Sequence, residues 1–226
     1  MSTAPSTGSE RDTASEQPSG PARPGRRRTT ARDLAQIAVF AALIAALGVP
    51  GAIPLGPEGV PITLQTLGVM LAGAILGARK GSLAVLLFIA LVAAGLPLLS
   101  GGRGGLGVFV GPSVGYLLGW LLGAAVIGWA TARLLPRYRL VPALLWTALG
   151  GIVAVYAVGI PVFALVTATP IGLAAAGAAV FLVGDAIKVV ATVLVAKGVH
   201  RAWPGLIEPK PWPWTRAAAA SADGTA

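Results

Sequence analysis

The apolar positions of this chain fall in long runs rather than in alternation. They cover Leu34–Val49, Thr63–Gly77, Ser82–Ala94, Gly115–Leu135, Val141–Val166 and Ile171–Val199. Runs of this length without a period of two predict helices, not the strands of an outer-membrane barrel. Ala, Leu and Gly dominate them, as in helices that pack closely inside a membrane. A spanning helix takes about 20 residues, with about 17 as the lower bound. By that measure the second and third runs are short, so they borrow residues from their flanks or end inside the bundle. The sixth is long enough to tilt or to project beyond the bilayer. The pattern predicts an all-α fold, a polytopic six-transmembrane-helix bundle. Five spans would result if Thr63–Ala94 formed a re-entrant pair.

The segments outside these runs differ in kind. Residues 1–31 are rich in Ser, Thr, Pro and Gly and are expected to form a disordered cytoplasmic tail, because they bury too little surface to offset ordering entropy. No apolar stretch follows a short basic start there, so the tail does not read as a signal peptide. Residues 32–201 form the expected six-helix membrane domain. Residues 202–226 make a second cytoplasmic tail, first Pro- and Trp-containing, then Ala-rich. Trp203, Trp212 and Trp214 are expected at the membrane interface, where indoles anchor.

Composition narrows the class further. Of 226 residues 55% are hydrophobic and 11% charged, with a mean hydropathy of +0.80. An ordinary soluble domain carries about 25% charged residues. These values exclude a disordered protein, a collagen and a typical soluble enzyme. The chain has no Cys and one His, which leaves no disulfide framework, no thiolate nucleophile and no histidine metal cluster. No cofactor is expected.

The net charge of +9 would suit a nucleic-acid partner, but its placement fits a membrane topology. Arg11, Arg23, Arg26, Arg27, Arg28 and Arg32 precede the first span. Arg79 and Lys80 lie between the second and third, Arg133, Arg137 and Arg139 between the fourth and fifth, and Lys197, Arg201, Lys210 and Arg216 at the end. With six spans, 15 of the 17 basic residues fall on one side. The positive-inside rule makes that side cytoplasmic and places both termini there.

Two basic residues remain, and both are candidates for chemistry. Lys188 stands three residues after Asp185, well inside the sixth run and after a charge-free stretch from Arg139. Each charge at a helix centre costs about 2.5–3.5 kcal/mol on insertion scales. At i and i+3 the two share a helix face. They read either as a mutually neutralising pair or as a recognition site for a small ligand that offers both an N–H and a carbonyl. Arg103 is the other, in the glycine-rich segment Gly95–Pro112, which reads as a loop folded over the protein. It is either a solvated arginine or a partner for a ligand carboxylate. Thr63, Gln65 and Thr66 open the second run on the same side. Ala38, Ala42 and Ala46 recur every four residues along the first helix and would let another helix approach closely. An intramembrane enzyme is the alternative class, but Ser113 and His200 fall near opposite membrane faces.

The strings Val60-Pro-Ile-Thr-Leu-Gln65, Gly111-Pro-Ser-Val-Gly-Tyr-Leu-Leu-Gly119 and Gly184-Asp-Ala-Ile-Lys188 resemble, in order and spacing, the BioY family. These are the biotin-specific S components of energy-coupling factor (ECF) transporters. The likeness covers about residues 32–201. The chain departs from the family's usual pattern at Ser113-Val114, Phe88 and Leu98-Leu99. The resemblance implies biotin as ligand near the outer face, with Asp185 and Lys188 on the ureido ring. It implies that Arg103 meets the valerate carboxylate and that Tyr116 helps line the pocket beside Thr63 and Gln65. It implies a transmembrane coupling subunit and two ATP-binding subunits as partners, with Ala38, Ala42 and Ala46 as the docking face. An S component for another vitamin is the alternative within that class.

Overall fold

The computed structural model describes residues 30–49 and 63–213. The tail expected at 1–31 lies outside them save for Thr30 and Ala31, and so do Trp214 and the rest of the second tail. Among the described residues the architecture is all-helical, with no strand beyond one isolated bridge between Leu99 and Arg103. Five helices form: α1 (Ala31–Ala46), α2 (Gln65–Ala93), α3 (Val114–Leu134), α4 (Leu140–Thr167) and α5 (Ile171–Ala202). All but α1 are long and apolar enough to cross a membrane by length and composition.

Helix α1 starts at a reciprocal cap. The Asp33 amide donates to the Thr30 hydroxyl at 3.2 Å, and the Thr30 amide donates to the Asp33 carboxylate at 3.1 Å. Two of the four open N–H groups of a helix start are thereby satisfied. Ile37, Ala41 and Ile44 form its buried face, while Ala38, Ala42 and Ala46 lie on the exposed one.

The second and third apolar runs join in α2, but α2 is not straight. Gly77 breaks it with φ 83° and ψ 174°, a backbone conformation essentially restricted to glycine. A straight helix of 29 residues would separate its ends by about 43 Å. Here Gln65 at the start bonds to Leu98 and Ser100 just past the end. A Cβ placed on Gly81 would stand 2.7 Å from the carbonyl oxygen of Ala72. The helix therefore folds back at Gly77 into two arms that pack side by side. Gly128 of α3 packs against this turn so tightly that a Cβ there would overlap the backbone nitrogen of Ala78.

These contacts sort the molecule into two ends. At one end lie the start of α1, the turn of α2 and the end of α3. The tail joins them there: the Lys210 amide donates to the Ala132 carbonyl at 2.7 Å, and Ile207 covers Gly77. Arg32, Arg79, Lys80, Arg133, Arg137, Arg139, Arg201 and Lys210 all belong to this end. At the other end lie Gly48, Gln65, the 95–113 loop and the α4–α5 turn, where Arg103 and the buried Lys188 are the basic residues among those described. The charge partition predicted from order along the chain is thus a partition in space.

The core is built from α1, α2 and α3, with Ile44, Phe88, Met70 and Ile127 fully buried. The outer faces of α4 and α5 are apolar and open: Leu165 is 81% exposed and Val183 73%. Surface of that kind is stable against lipid tails, not water. The tail tryptophans divide. Trp203 is exposed, but Trp212 packs its ring against Trp129 and Trp146 at 5.6 and 5.8 Å. The tail therefore docks onto α3 and α4.

Candidate functional site

The end opposite the basic residues contains a cavity of about 650 Å³, its open mouth included. All six residues singled out for a ligand line it: Thr63, Gln65, Arg103, Tyr116, Asp185 and Lys188. Thr66, Ser113, Trp120, Val155, Tyr156 and Phe181 complete the wall with Leu99, Leu117 and Gly151.

Asp185 and Lys188 occupy one face of α5, 4% and 7% exposed. The Lys188 ammonium lies 3.0 Å from one carboxylate oxygen of Asp185 and donates to the Thr66 hydroxyl at 2.8 Å. The Tyr156 hydroxyl donates to the other Asp185 oxygen at 2.7 Å. Burying two ions is costly unless they pair and their remaining groups are hydrogen-bonded. Both conditions are met, by residues from α2, α4 and α5. The carboxylate keeps acceptor capacity beyond these two bonds, and the ammonium keeps a third donor position. The cluster can therefore offer a ligand an acceptor and a donor side by side.

Helix α4 presents Tyr156 through a local defect. Residues Leu149–Ala154 form a wider π turn around Gly150-Gly151. Such turns re-register the residues that follow and recur at functional sites. Gly151, Val155 and Tyr156 all reach the cavity from this region. The Tyr156 ring meets Tyr116 edge-on, with centroids 6.2 Å apart.

Gln65 lines the cavity but uses its amide elsewhere. Its Nε2 donates to the carbonyls of Ile44 and Leu98 at 3.2 and 3.0 Å, and its Oε1 accepts from the Ser100 amide at 3.1 Å. It is 1% exposed and ties α1, α2 and the 95–113 loop together. That loop folds over the protein as predicted. It adds one element the glycine content argued against, a single 3₁₀ turn at Leu106–Val110. Leu99 and Arg103 exchange backbone hydrogen bonds of 3.0 and 3.2 Å around Gly101 and Gly102. This tight turn sets Arg103 at the mouth, where its guanidinium donates to Ser100 O at 3.3 Å and the Ser113 hydroxyl at 3.4 Å.

Tyr156 and Thr66 hold the ion pair, and the sequence reading did not single out Tyr156. A phenol inside a long charge-free apolar run was the available signal, because a buried hydroxyl needs a partner. Ser113 and His200 do not meet. His200 lies near the other end, its Nε2 2.8 Å from the Ala74 carbonyl oxygen. Among the described residues no group of His, Asp and Glu could hold a metal ion.

The fold defines a multi-pass helical membrane protein with a cavity at one end that holds a buried ion pair in its wall. Residues 21–205 match the model of the BioY family, and the chain belongs to that family. It is 52% identical over 185 residues to the biotin transporter BioY of Rhodobacter capsulatus, covering 78% of this chain and 97% of that one. It is 46% identical to the biotin transporter BioY of Rhizobium etli, covering 76% and 95%. The crystal structure of the S-component for biotin from an ECF-type ABC transporter superposes with a TM-score of 0.71 at 34% identity, over 75% of this chain and 91% of that chain. The family and these relatives are transporters, not enzymes.

Proposed function

We propose that this chain is a biotin-binding membrane component, an S component that mediates biotin uptake and draws its energy from partner ATPases. The observation that carries the reading is the buried Asp185–Lys188 pair, held by Thr66 and Tyr156 in the wall of the cavity. A ureido ring carries N–H donors beside one carbonyl acceptor, which match the carboxylate and the ammonium. Arg103 at the mouth binds the valerate carboxylate. Tyr116 and Trp120 pack against the apolar parts of the ligand, and Thr63 completes the rim. Gln65 acts by fastening the loop that carries Arg103.

The chain crosses the cytoplasmic membrane six times, the two arms of α2 counting separately, with both termini in the cytoplasm. The two-ended charge distribution supports this orientation. The chain has no cysteine of its own, so single cysteines report cleanly. Cysteines replacing Arg103 and Ala168 label from outside intact cells, and those replacing Arg79 and Arg137 do not. Outside labelling at Arg79 overturns the orientation.

A transmembrane coupling subunit and two ATP-binding subunits complete the transporter. The coupling subunit docks on Ala38, Ala42 and Ala46, which are exposed on α1 and small enough for close helix approach. The test of the function is equilibrium binding of labelled biotin to the purified chain, with thiamine and riboflavin as competitors. Saturable biotin binding that neither vitamin displaces is expected. Displacement by thiamine or riboflavin would assign the chain to another vitamin.

A further inference from the structure

An apolar groove follows the outer seam of α3 and α4. Val126 and Trp129 form one wall and Trp146, Leu149 and Val153 the other. Leu149 and Val153 are 41% and 55% exposed on the lipid-facing surface. Towards the basic end lies a second concavity, lined by Arg133, Arg137, Arg139 and Trp212. Three indoles join the two: Trp129 and Trp146 stand 5.3 Å apart, and Trp212 contacts both. The Arg133 guanidinium stacks on Trp129 at 3.7 Å and donates to its carbonyl at 2.8 Å, which fixes this side of the junction.

We propose that groove and pocket together bind one anionic phospholipid from the leaflet at the basic end. An acyl chain lies in the groove, and the phosphate and anionic headgroup meet Arg137 and Arg139. Exposed arginines alone are ordinary at a cytoplasmic face. What distinguishes these two is their position in one concavity that leads into an apolar channel, with indoles at the boundary. Indoles settle at the level of lipid headgroups, and basic pockets between membrane helices take anionic ones. A zwitterionic lipid fills the groove but gains less from the arginines. An acidic protein segment matches the arginines but leaves the groove empty. The docked tail has a role in this arrangement, since Trp212 forms part of the pocket wall.

The test titrates the full chain, purified in detergent, with phosphatidylglycerol or phosphatidylcholine and counts retained lipids by native mass spectrometry. The intact chain retains phosphatidylglycerol preferentially. Each arginine near an anionic headgroup is worth about fivefold, so the double change Arg137→Gln with Arg139→Gln lowers that preference about 20- to 30-fold. Val153→Trp, which fills the groove from an exposed position, weakens retention of both lipids about tenfold. Arg201→Gln, at the same end but outside the pocket, leaves the preference intact. The proposal fails if the double variant keeps the preference. It fails equally if Arg201→Gln reduces the preference as much, which would mark a general surface potential. An unchanged result for Val153→Trp would also overturn it, because the headgroup would then bind without its chain.

Discussion

Both ends of the bundle carry charge, and they treat it in opposite ways. At the cavity end the ions are few and the central pair is buried and bonded: Asp185 and Lys188 lie 3.0 Å apart, with Tyr156 and Thr66 as further partners. At the basic end they are many and mostly exposed, and Lys80–Asp33 is a pair with 22% and 28% of its side chains open. In a low-dielectric site a charge is worth much to a partner and costs much without one. In water the same pair is screened and contributes little. The difference separates two tasks. Under the proposed function, buried charge recognises the ligand and exposed charge orients the chain in the membrane.

The largest effect expected is at the buried pair. Asp185→Asn with Lys188→Met removes both ions and strands neither. The double variant should fold and insert normally, yet bind biotin at least a hundredfold more weakly, because two charge-assisted bonds of about 1.5–3 kcal/mol each are lost. Lys188→Met alone leaves Asp185 buried without its counter-ion, a change that costs about 3–5 kcal/mol in comparable sites. Its binding loss is therefore confounded with unfolding. Near-normal biotin affinity in a well-folded double variant would reduce the pair to a structural role and erase the contrast between the ends.

The next effect lies on α1, between the two ends. Ala42→Trp puts a large ring on the exposed face where close helix approach is proposed. Co-purification with the coupling subunit should fall about tenfold or more, while biotin affinity stays within about twofold. Assembly that tolerates Trp at Ala42 would make this face ordinary lipid-exposed surface.

How far the sequence foretold each end follows from the same physics. Asp185 and Lys188 were legible because charges are scarce in an apolar run, and an ion there has to be explained. The basic end was legible because position along the chain alternates between membrane faces once the spans are drawn. Tyr156 was not singled out, since a lone phenol carries no charge and its partner stands 29 residues away. Gln65 was placed at the ligand cavity, but its bonds to Ile44, Leu98 and Ser100 depend on contacts 21 to 35 residues distant. The π turn at Leu149–Ala154 and the docked Trp212 arise from packing between helices, which periodicity does not encode. The fold-back of α2 was half legible: two runs too short to span were visible, while the single glycine between the arms was not.

That glycine gives the third test. A Cβ at Gly77 would have room, its nearest neighbours being Ile207 atoms 3.5 Å away. The obstacle is φ 83° with ψ 174°, so Gly77→Ala should destabilise through backbone strain of about 1–3 kcal/mol. Gly128→Ala perturbs the same turn by overlap instead, at a typical cost of about 1–3 kcal/mol. Unfolding in detergent measures both. Either variant that still folds should bind biotin normally, because the turn sits at the basic end. A stable Gly77→Ala protein would show that the arms can connect in another conformation.

The smallest effect expected is at the start of α1. Thr30→Ala removes the hydroxyl that caps the Asp33 amide, and loss of such a cap costs about 1 kcal/mol. The Asp33 carboxyl is held at about 2, below its ordinary 3.8, first by the Thr30 amide, then by the Thr30 hydroxyl and then by Lys80. A carboxyl whose folded value is depressed stabilises the fold fully above pH 3.8 and loses that contribution as the pH falls through about 2. The hydroxyl's share of this bond survives only where Asp33 is ionised. The gap between the intact chain and Thr30→Ala should therefore be widest at neutral pH and begin to narrow below about pH 4, with the cap to the amide alone remaining once the pH falls below about 2. Paired unfolding curves at pH 7 and pH 3 measure the narrowing. Biotin affinity at pH 7 should not move, since Asp33 and the cavity lie at opposite ends. A shift in that affinity would mean that the exposed end reaches the buried site, and that the two ends do not work independently.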